Sequence, residues 1–378
     1  MAQESVGDSA VGPPEPWRSE QPHPKEPPSR AEGRRRSTRR RGLLVGALRI
    51  GLTLVALWWF SRVVRRVNWS AVWDAVTSLA PAQVVALLGV VALRQCLNAG
   101  PLAVFVPSLG LRRAVSNDLS ANLVATVAPP PGDVVLRIAM LRSWGIPPSE
   151  GIAGITLNTL TYYVARFGAP VLGLGLAAVA GQAEPAYVWT AVSSGAVSLV
   201  VVVGLVIASR GERPAARAAG WVGRQLRRVT PRVDPAAWST RATEFVRQAG
   251  DVLRRGWGRA MACQVGLVLS EALLLVLSLR FAGVPAIAAP TVTIVVALLV
   301  SYPLTALPFG GVGVLDAAVI AVLGLEQGPF EARAVAGLVV FRVCWMLVPL
   351  ALGAVTVAWW RRGHAAESAA VRSATREG

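Results

Sequence analysis

Apolar residues in this chain come in long unbroken runs, with few of the short stripes that mark a soluble helix. A helix needs roughly 20 predominantly apolar residues to cross a bilayer. Runs of about that length fall near 43–60, 82–107, 151–180, 187–208, 261–283 and 332–360. Two further segments are interrupted. One carries Ala128-Pro129-Pro130-Pro131-Gly132-Asp133 just ahead of Arg137, and the other, about 288–325, carries Pro303 and Leu307-Pro308-Phe309-Gly310-Gly311-Val312-Gly313. Proline has no N–H and clashes with the preceding turn, so no continuous helix passes through either break. Broken backbone at membrane depth is tolerated only where protein buries it or where it lines a cavity. The pattern predicts an all-α polytopic membrane protein with about six full spans and two broken or re-entrant helix hairpins.

The two breaks match each other. Thr126-Val127-Ala128-Pro129 aligns with Thr305-Ala306-Leu307-Pro308, and at the same spacing Gly132 meets Gly311 and Arg137 meets Asp316. Each break is followed by a long helix bearing one arginine, Arg166 in the first half and Arg342 in the second. Counting six spans, the breaks open from opposite membrane faces, the arrangement of an inverted repeat whose broken helices form a substrate site near the midplane.

Charge refines the picture. The 378 residues are 53% hydrophobic and 16% charged, with a formal net charge of +17, whereas a soluble domain carries about 25% charged residues. The charge is segregated. Residues 1–42 are rich in Pro, Glu, Ser and Arg and read as a disordered basic tail. Residues 209–259 hold twelve arginines, from Arg210 to Arg259, against Glu212, Asp234, Glu244 and Asp251. By the positive-inside rule that block is a cytoplasmic loop, and Trp221, Trp238, Phe245 and Trp257 suit helices lying on the inner leaflet. Both termini then fall on the cytoplasmic side of the cell membrane. The arginines flank apolar spans and no recognition motif accompanies them, so anionic headgroups account for them and nucleic acid does not. Segments 61–80 and 362–378 read as an interfacial helix and a polar, disordered tail around a transmembrane domain of 43–361.

Chemistry is sparse. Cys96, Cys263 and Cys344 sit in apolar runs, His23 and His364 in the tails, and no metal site or cofactor is expected. The intramembrane charges are the candidates: Arg94, Arg137, Arg166, Glu271, Asp316 and Arg342, with Asp133 beside the first break. A charge at the centre of a lone span costs about 2.5–3.5 kcal/mol, so these must pair or face a polar cavity. Asn158, Tyr162 and Arg166 recur at i+4 steps and form a polar stripe. Arg137 is expected to bond Asp133 or Asp316. The surplus of arginine near two helix breaks points to an anionic ligand, since guanidinium binds phosphate in bidentate fashion and helix N-termini add N–H donors.

Asn122-Leu123-Val124-Ala125-Thr126-Val127-Ala128-Pro129-Pro130-Pro131-Gly132-Asp133 with Arg137, and Pro308-Phe309-Gly310-Gly311-Val312-Gly313-Val314-Leu315-Asp316, resemble the paired motifs in the transmembrane region of lysylphosphatidylglycerol synthases. That family includes stand-alone flippase-like members. Asp133 and Asp316 stand where the family usually has Glu, and the chain ends without the soluble aminoacyl-transferring domain of the full-length synthases. The resemblance implies movement of a polar lipid between leaflets and no lysine transfer. On this reading Arg137, Arg166, Arg342, Asn122, Asp133, Asp316 and Glu271 line the substrate site, while Pro129, Gly132, Pro308, Gly310, Gly311 and Gly313 open the backbone. The expected partners are membrane lipids with anionic headgroups, beside a second copy of the chain or a lipid-biosynthesis enzyme. A membrane-embedded transferase and a secondary transporter of a small anion are the competing readings.

Overall fold

The computed structural model describes Trp73, Thr77 and residues 79–127, 131–229, 234–326 and 329–377. The first expected span (43–60), nearly all of the interfacial helix (61–80) and Pro129 lie outside them. The described residues hold helices and no strand. In chain order these are α1 (Pro81–Phe105), α2 (Gly110–Val127), α3 (Gly132–Ser143), α4 (Pro148–Val179), α5 (Pro185–Ser209), α6 (Glu212–Val229), α7 (Pro235–Phe281) and α8 (Thr291–Ser301). Short 3-10 turns, Tyr302–Ala306 and Pro308–Gly311, lead to α9 (Val314–Leu323), and α10 (Glu331–Arg342) joins α11 (Val348–Glu377) through a π turn, Val343–Leu347. Five of these segments, α1, α4, α5, α7 and the α10–α11 run, are long and apolar enough to cross a membrane. Only 22% of the apolar window of α5 is buried, and Trp189, Val192, Leu199 and Val200 project outward. In water that face would be a liability, whereas in hydrocarbon it costs nothing.

Small residues fix how the spans pack, because they let backbones approach closely. Along α1 and α7, Gly256 lies against Val104 and Phe105, Gly100 against Cys263, and Gly266 against Leu97. The order of these contacts shows that the two helices run antiparallel. Ser198 of α5 donates to the Val164 carbonyl of α4 at 3.0 Å, and Gly195 lies against Val171, so α4 and α5 are antiparallel as well. The arginine-rich stretch 209–259, expected to carry surface helices, is mostly helical over its described residues. It is α6 and the first half of the 47-residue α7 packed as a hairpin, and it marks one end of the bundle as the basic end.

The helices flanking each break pack as a hairpin, and the two hairpins enter from opposite ends. At the basic end Arg112 stacks on Trp359 and Trp360 donates to Ser143 at 3.0 Å. Deeper in, Gly353 lies against Leu119 and Leu123. So α2 enters from the basic end and α3 returns to it. At the far end Thr293, in the first turn of α8, donates to Gln182 at 3.1 Å, whereas Leu299 and Val300 lie deeper, against Gly173. The α8–α9 hairpin therefore enters from the far end, and span–hairpin–span occurs twice with opposite orientation: α1, α2–α3, α4, then α7, α8–α9, α10–α11.

The second tip is built by glycine. Gly310, Gly311 and Gly313 have φ of 66°, 67° and 85°, left-handed values that side chains rarely adopt. A Cβ on Gly311 would also collide with the Leu304 carbonyl oxygen, and one on Gly310 with the Trp345 ring. Gly311→Ala is expected to lower stability by about 2–3 kcal/mol, read as thermal unfolding in detergent; an unchanged melting temperature would mean the tip does not need this backbone. The π turn has its own cause. Pro349 has no N–H for the Trp345 carbonyl four residues back, and the helix gains one residue per turn there. The tail expected to be disordered continues α11 to Glu377; its alanines and charged residues are good helix formers.

Candidate functional site

Three ion pairs, one fully buried and two part-buried, lie inside the bundle. In the centre, Arg94 of α1 donates through Nε and Nη2 to Glu271 of α7, at 2.8 and 2.7 Å. The same carboxylate accepts from Trp345 Nε1 at 2.8 Å and from the Tyr302 hydroxyl at 2.7 Å. Glu271 is only 3% exposed, so its four donors replace the water it has lost. Trp345, on the π turn, places its ring 5.1 Å from the Arg94 guanidinium carbon and 5.5 Å from that of Arg342. One indole thus ties α1, α7 and the last span together.

The second pair lies inside the first hairpin. Arg137 donates through Nη2 to Asp118 at 2.9 Å and through Nη1 to the Asn117 side-chain oxygen at 3.3 Å. Asp118 also accepts from Asn98 at 2.5 Å and Asn122 at 3.1 Å. The expected pairing of Arg137 with Asp133 or Asp316 is therefore corrected: its acid is Asp118, brought across by the turn between α2 and α3. Asn122 braces that acid. Asp133 lies half-buried in the first turn of α3, where the helix N-terminus favours a carboxylate, and no partner for it is found among the described residues.

The third pair holds the second hairpin. Arg342 Nε lies 2.9 and 3.2 Å from the Asp316 oxygens, and its Nη1 donates to the Gly310 carbonyl at 3.2 Å. Asp316 in turn accepts the Gly313 N–H at 2.8 Å, which caps α9 in the way an N3 acid does. Gly132 opens α3 directly after Pro131, and Pro308 takes the first position of its 3-10 turn, where the missing N–H costs nothing.

Arg166 differs from the other three arginines. It is 8% exposed, bonds the Tyr162 hydroxyl one turn earlier and stands 4.3 Å from the centre of that ring. Its Nε has no partner, and neither does the buried Oδ1 of Asn158 on the same face of α4. Among the described residues no carboxylate pairs with it. The helix that carries Arg166, α4, packs against α1, α7 and α8. Sequence reasoning had selected Arg166 from its stripe but missed Asp118, Tyr302 and Trp345. Asp118 carried a readable signal: folded at the prolines, α2 and α3 set Arg137 opposite Asn122, with Asp118 one turn away.

Five described segments able to span a bilayer, two opposed helix hairpins and a set of interior ion pairs define a multi-pass membrane protein with an internal polar centre. The family comparison agrees: the model described as the lysylphosphatidylglycerol synthase TM region matches residues 46–353, and the chain belongs to that family. It is thereby a membrane protein of a family linked to lipid modification or translocation. No curated protein and no solved structure matches the chain.

Proposed function

We propose that this protein is a lipid translocase that moves a phospholipid, or another lipid with an anionic headgroup, between leaflets. The observation that carries the reading is Arg166, a buried guanidinium with no carboxylate partner among the described residues, on a helix that packs against both hairpins. A buried charge normally keeps a partner because an isolated one costs several kcal/mol. A protein that leaves one uncompensated has a place for an anion, and a headgroup phosphate entering along either hairpin supplies it. Opposed broken helices support alternating access to that place.

On this reading the basic end lies at the cytoplasmic face of the cell membrane, with both termini there. The α6–α7 hairpin presents Arg213, Arg217 and Arg224 beside the exposed rings of Trp221 and Trp238, a combination suited to an anionic leaflet.

The test is reconstitution into vesicles carrying trace fluorescent phospholipid, followed by an external quencher. Protein-dependent loss of protection for inner-leaflet lipid is the expected result. Vesicles that stay half-protected with every anionic lipid tried would overturn the proposal. Release of a chemically altered lipid by the purified protein would replace it with the transferase reading.

A further inference from the structure

A charge inside a spanning bundle is expected to pair or to face a polar space. Two interior charges stand without an ion pair among the described residues: Asp133, in the first turn of α3, and Arg166 on α4, whose Nε has no partner. They carry opposite signs and sit on neighbouring elements, since α3 packs against α4. The other interior carboxylates are not available to Arg166. Asp118, Glu271 and Asp316 each hold another arginine. Glu150 lies in the first turn of α4, about 24 Å along the helix from Arg166.

The second half of the chain shows such a pair closed. There Asp316, in the first turn of the helix that leaves the tip, lies 2.9 and 3.2 Å from Arg342 on the following span. In the first half Asp133 takes that place, in the first turn of α3, and Arg166 is the arginine of the following span. The sequence spacing that sets Arg137 against Asp316 differs from this by one turn, which keeps the same face of the helix. A helix N-terminus favours a lone carboxylate, yet Asp316 has that setting too, accepts the Gly313 N–H and still takes an arginine. One half is closed by its acid and its arginine, and the other holds the same two groups apart.

The distance to be covered is small. Gly151 of α4 lies against Leu141 of α3, which sets the depth of one helix against the other. At about 1.5 Å per residue from that contact, Asp133 is about 12 Å deep and Arg166 about 22 Å. The arginine spans about one turn of the difference itself, because its side chain leans back toward the start of α4 and onto Tyr162. What is left is about 5 Å, the one-turn step by which packed helices ratchet past each other. Asp118 and Arg137 both belong to the first hairpin, so the step separates no ion pair.

We infer, resting on the translocase reading above, that Asp133 is the built-in counter-ion of Arg166: in the opposite conformation the first hairpin sits about one turn deeper and Asp133 closes on Arg166. The carboxylate and the transported anion then occupy one guanidinium by turns, and closing expels the anion. The second half, whose pair is shut here, is the open one in that state.

Spin labels on Arg142→Cys, at the basic end of α3, and Val179→Cys, at the far end of α4, report the step once the exposed Cys96 is replaced by Ala. The full chain in phosphate-free detergent should show a second distance population about 5 Å shorter than the first. Asp133→Asn and Arg166→Gln should each abolish it, whereas Asp133→Glu, which keeps the charge, should retain it. In vesicles Asp133→Asn should move lipid at least about tenfold more slowly, because one of the two states has lost its closing pair. A single distance in the parent, a shorter population that survives Asp133→Asn, or parental transport by that variant would overturn the counter-ion assignment and leave the translocase standing. A shorter population that depends on Asp133, in a protein that moves no lipid, would uphold the pair and overturn the reading beneath it.

Discussion

Arg166→Gln should melt at a higher temperature than the parent protein and move lipid at least about tenfold more slowly. The two effects have one cause. The guanidinium is 8% exposed, with Tyr162 as its only bonded neighbour among the described residues. Glutamine can keep a donor near that hydroxyl while removing a buried charge that the resting protein leaves unbalanced. Removing such a charge stabilises by about 1–4 kcal/mol, and removing the ligand's counter-charge stops transport. Thermal unfolding in detergent beside the quenching assay measures both. A variant that unfolds earlier than the parent would mark Arg166 as a structural brace, and the proposed function would lose its main support.

Glu271→Gln should have the opposite sign and the largest cost to folding. Four donors converge on two carboxylate oxygens, from Arg94, Trp345 and Tyr302. An amide turns one of those oxygens into a donor and leaves Arg94 buried without its charge. Breaking a buried pair in this way costs about 3–5 kcal/mol. The charge is separated from the shape by the double variant Arg94→Met with Glu271→Gln, which removes both ions and should recover much of the loss. Equal destabilisation of the single and double variants would show that the pair contributes nothing beyond packing.

The architecture was legible because hydrocarbon leaves few choices: long apolar runs become spans, and Pro129 to Gly132 and Pro308 to Gly313 can only be breaks. The arginines were legible for the same reason. Their partners were not. Aligning the two halves equates Arg137 with Asp316, and equivalence in a repeat was read as contact. Inverted symmetry instead sends each residue to the corresponding place in its own half. Arg137 finds Asp118 across its hairpin, and Asp316 finds Arg342 on the following span. The unpartnered polar atoms of Gln95, Asn158 and Gln264 were out of reach for a different reason. A neutral amide in an apolar helix gives no sign of whether its hydrogen bonds are satisfied, and only the packed structure shows that they are not. The π turn had a signal in Pro349, four residues after Trp345, where an α-helix would need an N–H.

The ion pairs also divide the molecule mechanically. Asp118 and Arg137 belong to the same hairpin, so α2 and α3 carry their own neutrality and can shift together without exposing a lone charge. Their outward hydrogen bonds, from Asn98 to Asp118, between Ser120 and Thr356 and from Trp360 to Ser143, include no ion pair. The second hairpin has no such independence. Asp316 is bound to Arg342 on the last span, and any displacement of α9 must pull that span along or strip two part-buried ions of each other. The two hairpins are therefore alike in outline but not in how their charges are held: one pairs its own ions, and the other shares its pair with the neighbouring span.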